Sequence, residues 1–137
     1  MTDKFTPAKR SEIMSEIKGR DTGPEKEIRS LLHRLGYRFR LHRKELPGKP
    51  DIVLPKYRAV IFVHGCFWHG HDACRRSKRP TTNIESWNKK IDANIRRDIE
   101  AGSQLEKMGW RVFTIWQCQM KDTDKLIDWL IGFIEQR

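Results

Sequence analysis

The stretch KPDIVLPKYRAVIFVH, residues 49–64, holds the pattern that decides the fold. Two short apolar runs, DIVL (51–54) and RAVIFVH (58–64), are separated by Pro-Lys-Tyr. Apolar runs of roughly four to eight residues that are bounded by turn residues are typical of buried strands. The stretch therefore predicts a hairpin of two buried strands, with Asp51 at the start of the first strand.

The segments on either side of this hairpin predict helices and two more strands. Helices are predicted from apolar spacing over residues 6–20, 21–36, 83–109 and 123–136. Strands are predicted over residues 37–43 and 110–116. The order helix, helix, three strands, helix, strand, helix predicts an α/β fold, in which helices flank a mixed central sheet. The length of 137 residues indicates a single domain over residues 1–137.

The apolar pattern within these elements predicts which side chains are buried. In the strand over 37–43, Tyr37, Phe39 and Leu41 alternate with basic residues, as in a half-buried strand. In the long helix, the residues expected near one face are Ile84, Trp87, Ile91, Ile95, Ile99 and Leu105. Gly36 and Gly109 are expected to end their helices.

The charge balance favours a polyanionic partner. The chain carries 28 lysines and arginines against 18 acids, a formal net charge of +10, and its basic residues are spread along its length. This distribution indicates nucleic acid rather than a solvated basic tail. No apolar run is long enough to span a bilayer, and MTDKFTPAKR lacks the apolar core of a signal peptide. We therefore expect a cytoplasmic protein, with no membrane contact and with reduced thiols.

The residues after the hairpin, HGCFWHGHDAC (64–74), combine three histidines with two of the three cysteines in the chain. The third cysteine, Cys118, follows the last predicted strand. Three cysteines cannot all pair within one chain, so reduced cysteines beside histidines indicate a metal site more than disulfides. Ligands from one loop and one remote strand would form a closed zinc site of the structural type. Unrelated buried thiols are the alternative.

KPDIVL and the order of elements around it resemble the core of the PD-(D/E)xK nuclease superfamily, a restriction-endonuclease-like fold. Such sites place one acid on the second strand and an acid-x-lysine on the third. Asp51 corresponds to the first acid, and Phe62-Val63-His64 stands where the acid-x-lysine would be. Because Pro-Asp is also an ordinary turn opener, the alternative for Asp51 is a turn residue or a strand cap.

Four segments together resemble the very-short-patch-repair (Vsr) mismatch endonucleases: LPGKPDIV, VIFVHGCFWHGHDAC, WNKKIDANIRRD and GWRVFTIWQC. They occur in this order, and the resemblance extends from Arg10 to about Cys118. It implies a monomeric bacterial enzyme that nicks double-stranded DNA on the 5′ side of the thymine in a T:G mismatch. Such mismatches arise when 5-methylcytosine deaminates. A cytosine methyltransferase with the same target is therefore an implied partner, as are mismatch-repair proteins.

The resemblance implies a structural Zn²⁺ held by Cys66, His71, Cys74 and Cys118. Two residues separate His71 from Cys74 here, where the family pattern has one, so Asp72 is an alternative ligand. Binding of zinc supplies roughly 10–16 kcal/mol in small zinc domains, enough to order a short polar loop.

A second, catalytic metal is also implied. A hard carboxylate suits Mg²⁺, and Asp51 is the candidate; the resemblance adds the backbone carbonyl of Val63. The matching histidines, His64 and His69, belong to the active site in the family. His69 is expected to act as general base or donor, and His64 to contact the phosphate or its metal-bound water. A strand-end histidine satisfied by backbone is the alternative for His64.

Glu25 and Asp98 have competing interpretations. Thr22-Gly23-Pro24-Glu25 fits a capping box, in which Glu25 bonds back to the helix start. The resemblance instead places Glu25 in the active site. Asp98 is most simply a solvated helix residue, but its family counterpart orients an active-site group.

The large aromatics of the loop are expected to contact DNA. Apolar side chains inserted between bases exploit the weakness of a mismatched step. Phe67 and Trp68 would form this intercalating wedge, and Trp87 resembles its third member, with core packing as the alternative. The basic helix over residues 1–20 is expected to contact DNA through Met14 and Ile17, unless these residues form a packing stripe with Ile13.

Two other functions remain open from the sequence. One is a restriction-like endonuclease that cuts a specific matched duplex. The other is a zinc-containing DNA-binding protein without activity, which the missing acid on the third strand leaves open.

Overall fold

The computed structural model describes residues 6–9, 23–41, 43–71, 74 and 77–136. The helices are α1 (Pro24–Arg34), α2 (Ile84–Lys107) and α3 (Thr123–Glu135). The strands are β1 (Arg40–Leu41), β2 (Ile52–Leu54), β3 (Ala59–His64) and β4 (Arg111–Trp116). Most of the predicted first helix, with Met14 and Ile17, lies outside the described residues, as does Asp72. Within the described ranges, no helix is long and apolar enough to cross a membrane.

The four strands form one mixed sheet in the order β1-β2-β3-β4. β1 pairs antiparallel with β2 and β2 with β3, whereas β3 and β4 are parallel. The predicted hairpin is confirmed: one 3-10 turn, Pro55–Tyr57, and Arg58 with φ +52° reverse the chain between β2 and β3. Parallel strands need a crossover connection, and α2 provides it between β3 and β4.

Helices cover both faces of the sheet, which confirms the predicted architecture. α1 and α3 pack on the face that carries Ile52, Ile61 and Ile115. The other face carries Val60 and Phe62, which pack against the end of α2 and Trp110. Because side chains alternate along a strand, His64 projects from the same face of β3 as Phe62, toward α2.

Both predicted helix-ending glycines adopt positive φ, +89° at Gly36 and +90° at Gly109. The residue that follows each glycine donates its backbone N–H to a carbonyl in the last turn of the helix. Tyr37 donates to Leu32 over 2.9 Å, and Trp110 donates to the carbonyl at residue 105 over 3.0 Å. These are Schellman motifs, whose left-handed residue favours glycine.

Three burial predictions are wrong. The strand predicted over 37–43 is reduced to β1, and Leu41 is 39% exposed rather than buried. β1 is an edge strand with no neighbour on its outer side among the described residues, so little packs on it. Ile84 and Ile99 are 53% and 68% exposed. Ile84 begins α2, and Ile99 lines a groove between α2 and β4 instead of the closed core.

Candidate active site and metal centre

The candidate site lies at one edge of the sheet, where β3 and β4 end and β2 begins. His64 and Trp116 are register partners at the ends of these parallel strands. Asp51 immediately precedes β2, whose Ile52 pairs with Ile61. The antiparallel course of β2 therefore brings Asp51 to the end of β3.

The Asp51 carboxylate bonds to the backbone of β3. Its Oδ2 accepts a hydrogen bond from the N–H of Val63 over 2.7 Å. Phe62, buried against the α2 side, occupies the position where the superfamily pattern has its second acid. The carboxylate is thus fixed beside the last residues of β3 without an acidic neighbour at position 62.

Two histidines and an aspartate converge on the α2 face of this edge. One ligand atom from each of His64, His69 and Asp98 lies within 4.8 Å of the others. His69 Nδ1 lies 2.7 Å from Asp98 Oδ2, and His64 Nδ1 lies 4.0 Å from the same oxygen. With the Nδ1–H of His69 donating to Asp98, the Nε2 of a neutral His69 keeps its lone pair.

His64 is buried, and its imidazole is held neutral. Its Nδ1 is enclosed and makes no hydrogen bond to any described residue. Burial first, and then the neighbouring His69, lower the pKa of His64 to about 4, whereas Asp98 acts to raise it. Desolvation disfavours the charged ring more than the carboxylate at 4.0 Å favours it. The contact between His64 and Asp98 is therefore not an ion pair near neutral pH.

The loop that carries His69 is anchored on α2. Asn94 Nδ2 donates to the backbone carbonyl of Trp68 over 2.8 Å. Gly70 has φ +59°, and a Cβ there would lie 2.6 Å from Ile95 Cδ1. A side chain at this position would be strained by the positive φ and would crowd Ile95, so glycine lets the loop lie close against α2.

The four predicted zinc ligands come together. Donor atoms of Cys66, His71, Cys74 and Cys118 all lie within 4.8 Å of one another. Cys118 Sγ is 3.4 Å from His71 Nδ1, and the backbone N–H of Cys118 donates to Cys66 Sγ over 3.4 Å. Tetrahedral zinc, with bonds of about 2.3 Å to sulfur and 2.0–2.1 Å to nitrogen, separates such ligand atoms by about 3.5 Å.

The chemistry of this donor set also fits a cation. Burial first, and then hydrogen bonds with Cys66 and Cys74, raise the pKa of Cys118 to about 11. A bound metal ion is the group that stabilises such closely spaced thiols as thiolates. The His71 ring stacks on Trp116 at 4.1 Å, which ties the group to the end of β4.

The aromatic side chains Phe67, Trp68 and Trp87 form a cluster beside the two histidines. Phe67 lies 5.2 Å from Trp68 and 5.4 Å from Trp87, both edge to face, and the two indoles are 5.6 Å apart. Trp68 is 51% exposed. Trp87 is half-buried within this cluster at the start of α2, so it is not a residue of the closed core.

A family model described as DNA mismatch endonuclease Vsr matches residues 2–76, more than half of the chain. The chain belongs to the Vsr family. Among its relatives, the type II nicking enzyme V.XorIIP of Xanthomonas oryzae pv. oryzae is 51% identical over 126 residues, which cover 92% of each chain. The DNA mismatch endonuclease Vsr of Escherichia coli is 45% identical over 128 residues, 93% of this chain and 81% of that protein. The type II nicking enzyme V.NmeAIP of Neisseria meningitidis is 45% identical over 122 residues, 89% and 86% of the two chains.

Membership of the Vsr family makes the protein a DNA endonuclease, as predicted, and it rules out the non-catalytic alternative. Thr22, the capping residue of the predicted capping box, lies outside the described residues, and α1 begins after Gly23. Glu25 pairs with Arg29 one turn later. Its predicted place in the active site stays a prediction.

Sequence reasoning missed two supports of the Vsr-family site. Asn94 anchors the loop and Trp116 stacks on His71, but neither residue type is a usual zinc ligand or an acid-base group. Both lie in segments that carry the family resemblance, WNKKIDANIRRD and GWRVFTIWQC. Their position within these segments was the available indication. The solvated-helix interpretation of Asp98 is wrong, because the side chain bonds to His69.

Proposed function

We propose that this Vsr-family endonuclease nicks one strand of duplex DNA on the 5′ side of the thymine in a T:G mismatch. The observation that carries the proposal is the adjacency of the exposed Trp68 to His69, which bonds to Asp98. A side chain suited to open a base step is therefore covalently next to a group suited to transfer a proton. The name of the Escherichia coli relative, a mismatch endonuclease, supports the same function.

A PD-(D/E)xK-like catalytic centre is proposed at Asp51. Mg²⁺ would be held by the Asp51 carboxylate and by the Val63 carbonyl, and it would supply charge stabilisation for phosphodiester hydrolysis. The N–H and C=O of a strand residue point to the same side, and the Val63 N–H points at Asp51. Phe62 supplies no second carboxylate, so substrate phosphate oxygens would complete the site. Binding of Mg²⁺ should then be weak without DNA.

His69 is proposed as the general base. Its Nε2 takes a proton from water as the water oxygen attacks phosphorus and the bond to the leaving deoxyribose oxygen breaks. Asp98 holds the ring in the required tautomer and stabilises the imidazolium that forms. His64, neutral and stacked on His69, would donate a hydrogen bond to the scissile phosphate. Glu25 is proposed as a further active-site group.

Zn²⁺ is proposed to hold the loop in place through Cys66, His71, Cys74 and Cys118. The zinc ion would order the loop and take no part in catalysis, because a closed site with four protein ligands leaves no position for water. The aromatic side chains within the same loop would then project rigidly from the protein surface.

Mismatch recognition is proposed to rest on the aromatic cluster Phe67, Trp68 and Trp87. Stacking of an aromatic side chain on a base contributes about 1–3 kcal/mol. That gain is comparable to the few kcal/mol that unstacking a step requires, so a weakened T:G step opens more readily than a matched one. Met14 and Ile17, outside the described residues, are proposed to contact the opposite groove.

The test is a set of duplexes that carry T:G or the matched pair in a panel of flanking sequences, with nicks mapped on each strand in Mg²⁺. We expect one nick, 5′ of the mismatched thymine. Asp51→Asn is the control for contaminating nucleases, and it should retain zinc and DNA affinity while losing activity. A nick of matched duplexes at equal rate would contradict mismatch specificity.

A sequence-specific nickase of matched DNA is the second candidate. The relatives from Xanthomonas oryzae and Neisseria meningitidis carry the name type II nicking enzyme rather than mismatch endonuclease, and this favours it. The first proposal further implies a cytosine methyltransferase that shares the target, mismatch-repair partners, a monomeric enzyme and a cytoplasmic location.

A further inference from the structure

A basic groove lies between α1 and β1, away from the active site. Two adjoining depressions form it, and both are lined by His33 and Phe39. The other basic side chains of this β1 groove are Arg29, Arg34, Arg38, Arg40 and Lys56. Among the described residues, no acid lines either depression.

The charge of the β1 groove rests mainly on three exposed side chains. Arg38, Arg40 and Lys56 are exposed, whereas the guanidinium of Arg29 pairs with Glu25. Three cations around one concave surface that Phe39 also lines form a site that attracts phosphates. Charged residues also protect an edge strand from pairing with other strands, but that role needs no concave lining.

The β1 groove lies toward the end of β2 that is opposite the catalytic edge. Register pairs Leu41 with Ile52 and Arg40 with Val53, so the chain from Arg40 back toward Arg38 runs away from Asp51. At about 3.3 Å per residue, Lys56 is separated from Asp51 by the whole length of β2. A phosphate bound in the groove is therefore not the scissile one.

We propose that the β1 groove binds the phosphate backbone of the same DNA duplex on the flank of the cleavage site. The groove lengthens the DNA contact beyond the segment that the active-site edge covers. This inference goes beyond the proposed function, because it needs a duplex substrate and does not depend on which base pair is cut. The partner is identified by charge: three exposed cations on a concave surface without an acid in its described lining are complementary to a polyanionic backbone.

The test compares two double variants that each remove two positive charges. Arg38→Gln/Lys56→Gln alters the β1 groove, and Lys107→Gln/Lys125→Gln alters exposed lysines on α2 and α3. DNA affinity is measured over a range of salt on a duplex that ends close to the cleavage site. The measurement is repeated on duplexes extended on one side or the other by about 10 bp, one helical turn.

We expect extension of the duplex on one side to raise the DNA affinity of the parent and of the control variant. The groove variant should lack this gain in affinity. On that extended duplex, the slope of log K against log salt should be shallower for the groove variant by about 1.8, which is 0.9 for each lost phosphate contact. Nicking of the short duplex and the thermal unfolding temperature should match the parent. Arg38→Lys/Lys56→Arg, which keeps both charges, should keep the gain.

Two results would overturn the inference. If the groove variant keeps the parental slope and the gain on extension, the basic surface serves a partner other than DNA. If the control variant loses as much as the groove variant, net charge rather than the β1 groove governs the flank.

Discussion

The imidazole rings of His64 and His69 stack in parallel, with centroids 3.8 Å apart and planes inclined by 3°. Two imidazolium charges at this separation would repel each other strongly in a partly buried site. The lowered pKa of His64, about 4, keeps that ring neutral, and the hydrogen bond to Asp98 falls on His69. The pair therefore divides its roles: one ring stays neutral and the other is placed to gain a proton.

The first prediction concerns this division. His69→Ala should slow single-turnover nicking by about 10²–10⁴-fold, the usual contribution of a general base, while DNA affinity is retained. If Asp98 acts only through His69, the double variant His69→Ala/Asp98→Ala should be no slower than His69→Ala alone. Additive losses would show that Asp98 has a separate role, since residues that act as one unit give non-additive effects.

Zinc removal is the second prediction. The protein should contain about one Zn²⁺ per chain, because the donor set is closed and complete. Cys118→Ala opens that set and should lower both the zinc content and the thermal unfolding temperature, since metal binding and folding are coupled. Elemental analysis and thermal unfolding measure the two effects. Asp51→Asn serves as control and should keep its zinc; parental zinc content in Cys118→Ala would contradict the ligand assignment.

The hairpin of the sheet and the metal cluster could be predicted from local sequence patterns. The hairpin over 51–64 was predictable because two apolar runs bounded by turn residues have few other structures open to them. The convergence of Cys66 and Cys118 was predictable because cysteines beside histidines have few roles in a reduced chain. In both cases the residue types leave few alternative structures.

What could not be predicted depends on how α2 lies over the sheet. Ile99 follows the helical apolar spacing, yet it is exposed because α2 is placed so that a groove stays open between it and the outer part of β4. The same lateral position brings Asp98 to His69, which no local pattern around residue 98 indicates. Leu41 alternates correctly, but an edge strand of two residues has little to pack against.

The third prediction concerns stability at high pH. The buried hydroxyl of Tyr37 donates to Glu135 Oε2 over 2.7 Å, and burial first, then this bond, raises the pKa of Tyr37. A group whose pKa is raised by folding stabilises the protein below its unfolded pKa, here about 10, and loses that contribution as pH rises further. Tyr37→Phe should therefore lower the free energy of unfolding by about 1.5–3 kcal/mol at pH 8.

Urea unfolding of the parent and of Tyr37→Phe from pH 8 to 11 measures this effect. The difference between the two free energies of unfolding should shrink above about pH 10, because only the parent loses a proton at this position. A difference that stays constant over this range would mean that the hydrogen bond to Glu135 does not couple ionisation to folding.

The last prediction tests the aromatic cluster. Trp68 is exposed, its backbone carbonyl is held by Asn94, and it precedes His69, so base opening and cleavage share one rigid loop. Trp68→Ala should reduce the affinity gap between T:G and matched duplexes by about 1–3 kcal/mol, the contribution of one base stack, and should leave zinc content unchanged. Fluorescence of a 2-aminopurine beside the mismatch should rise when the parent binds and rise less with the variant. Trp129→Ala, which removes an exposed tryptophan on α3, is the matched control and should behave as the parent. If Trp68→Ala keeps full discrimination and the full fluorescence change, base opening is carried by another side chain, and Trp87 becomes the residue to replace.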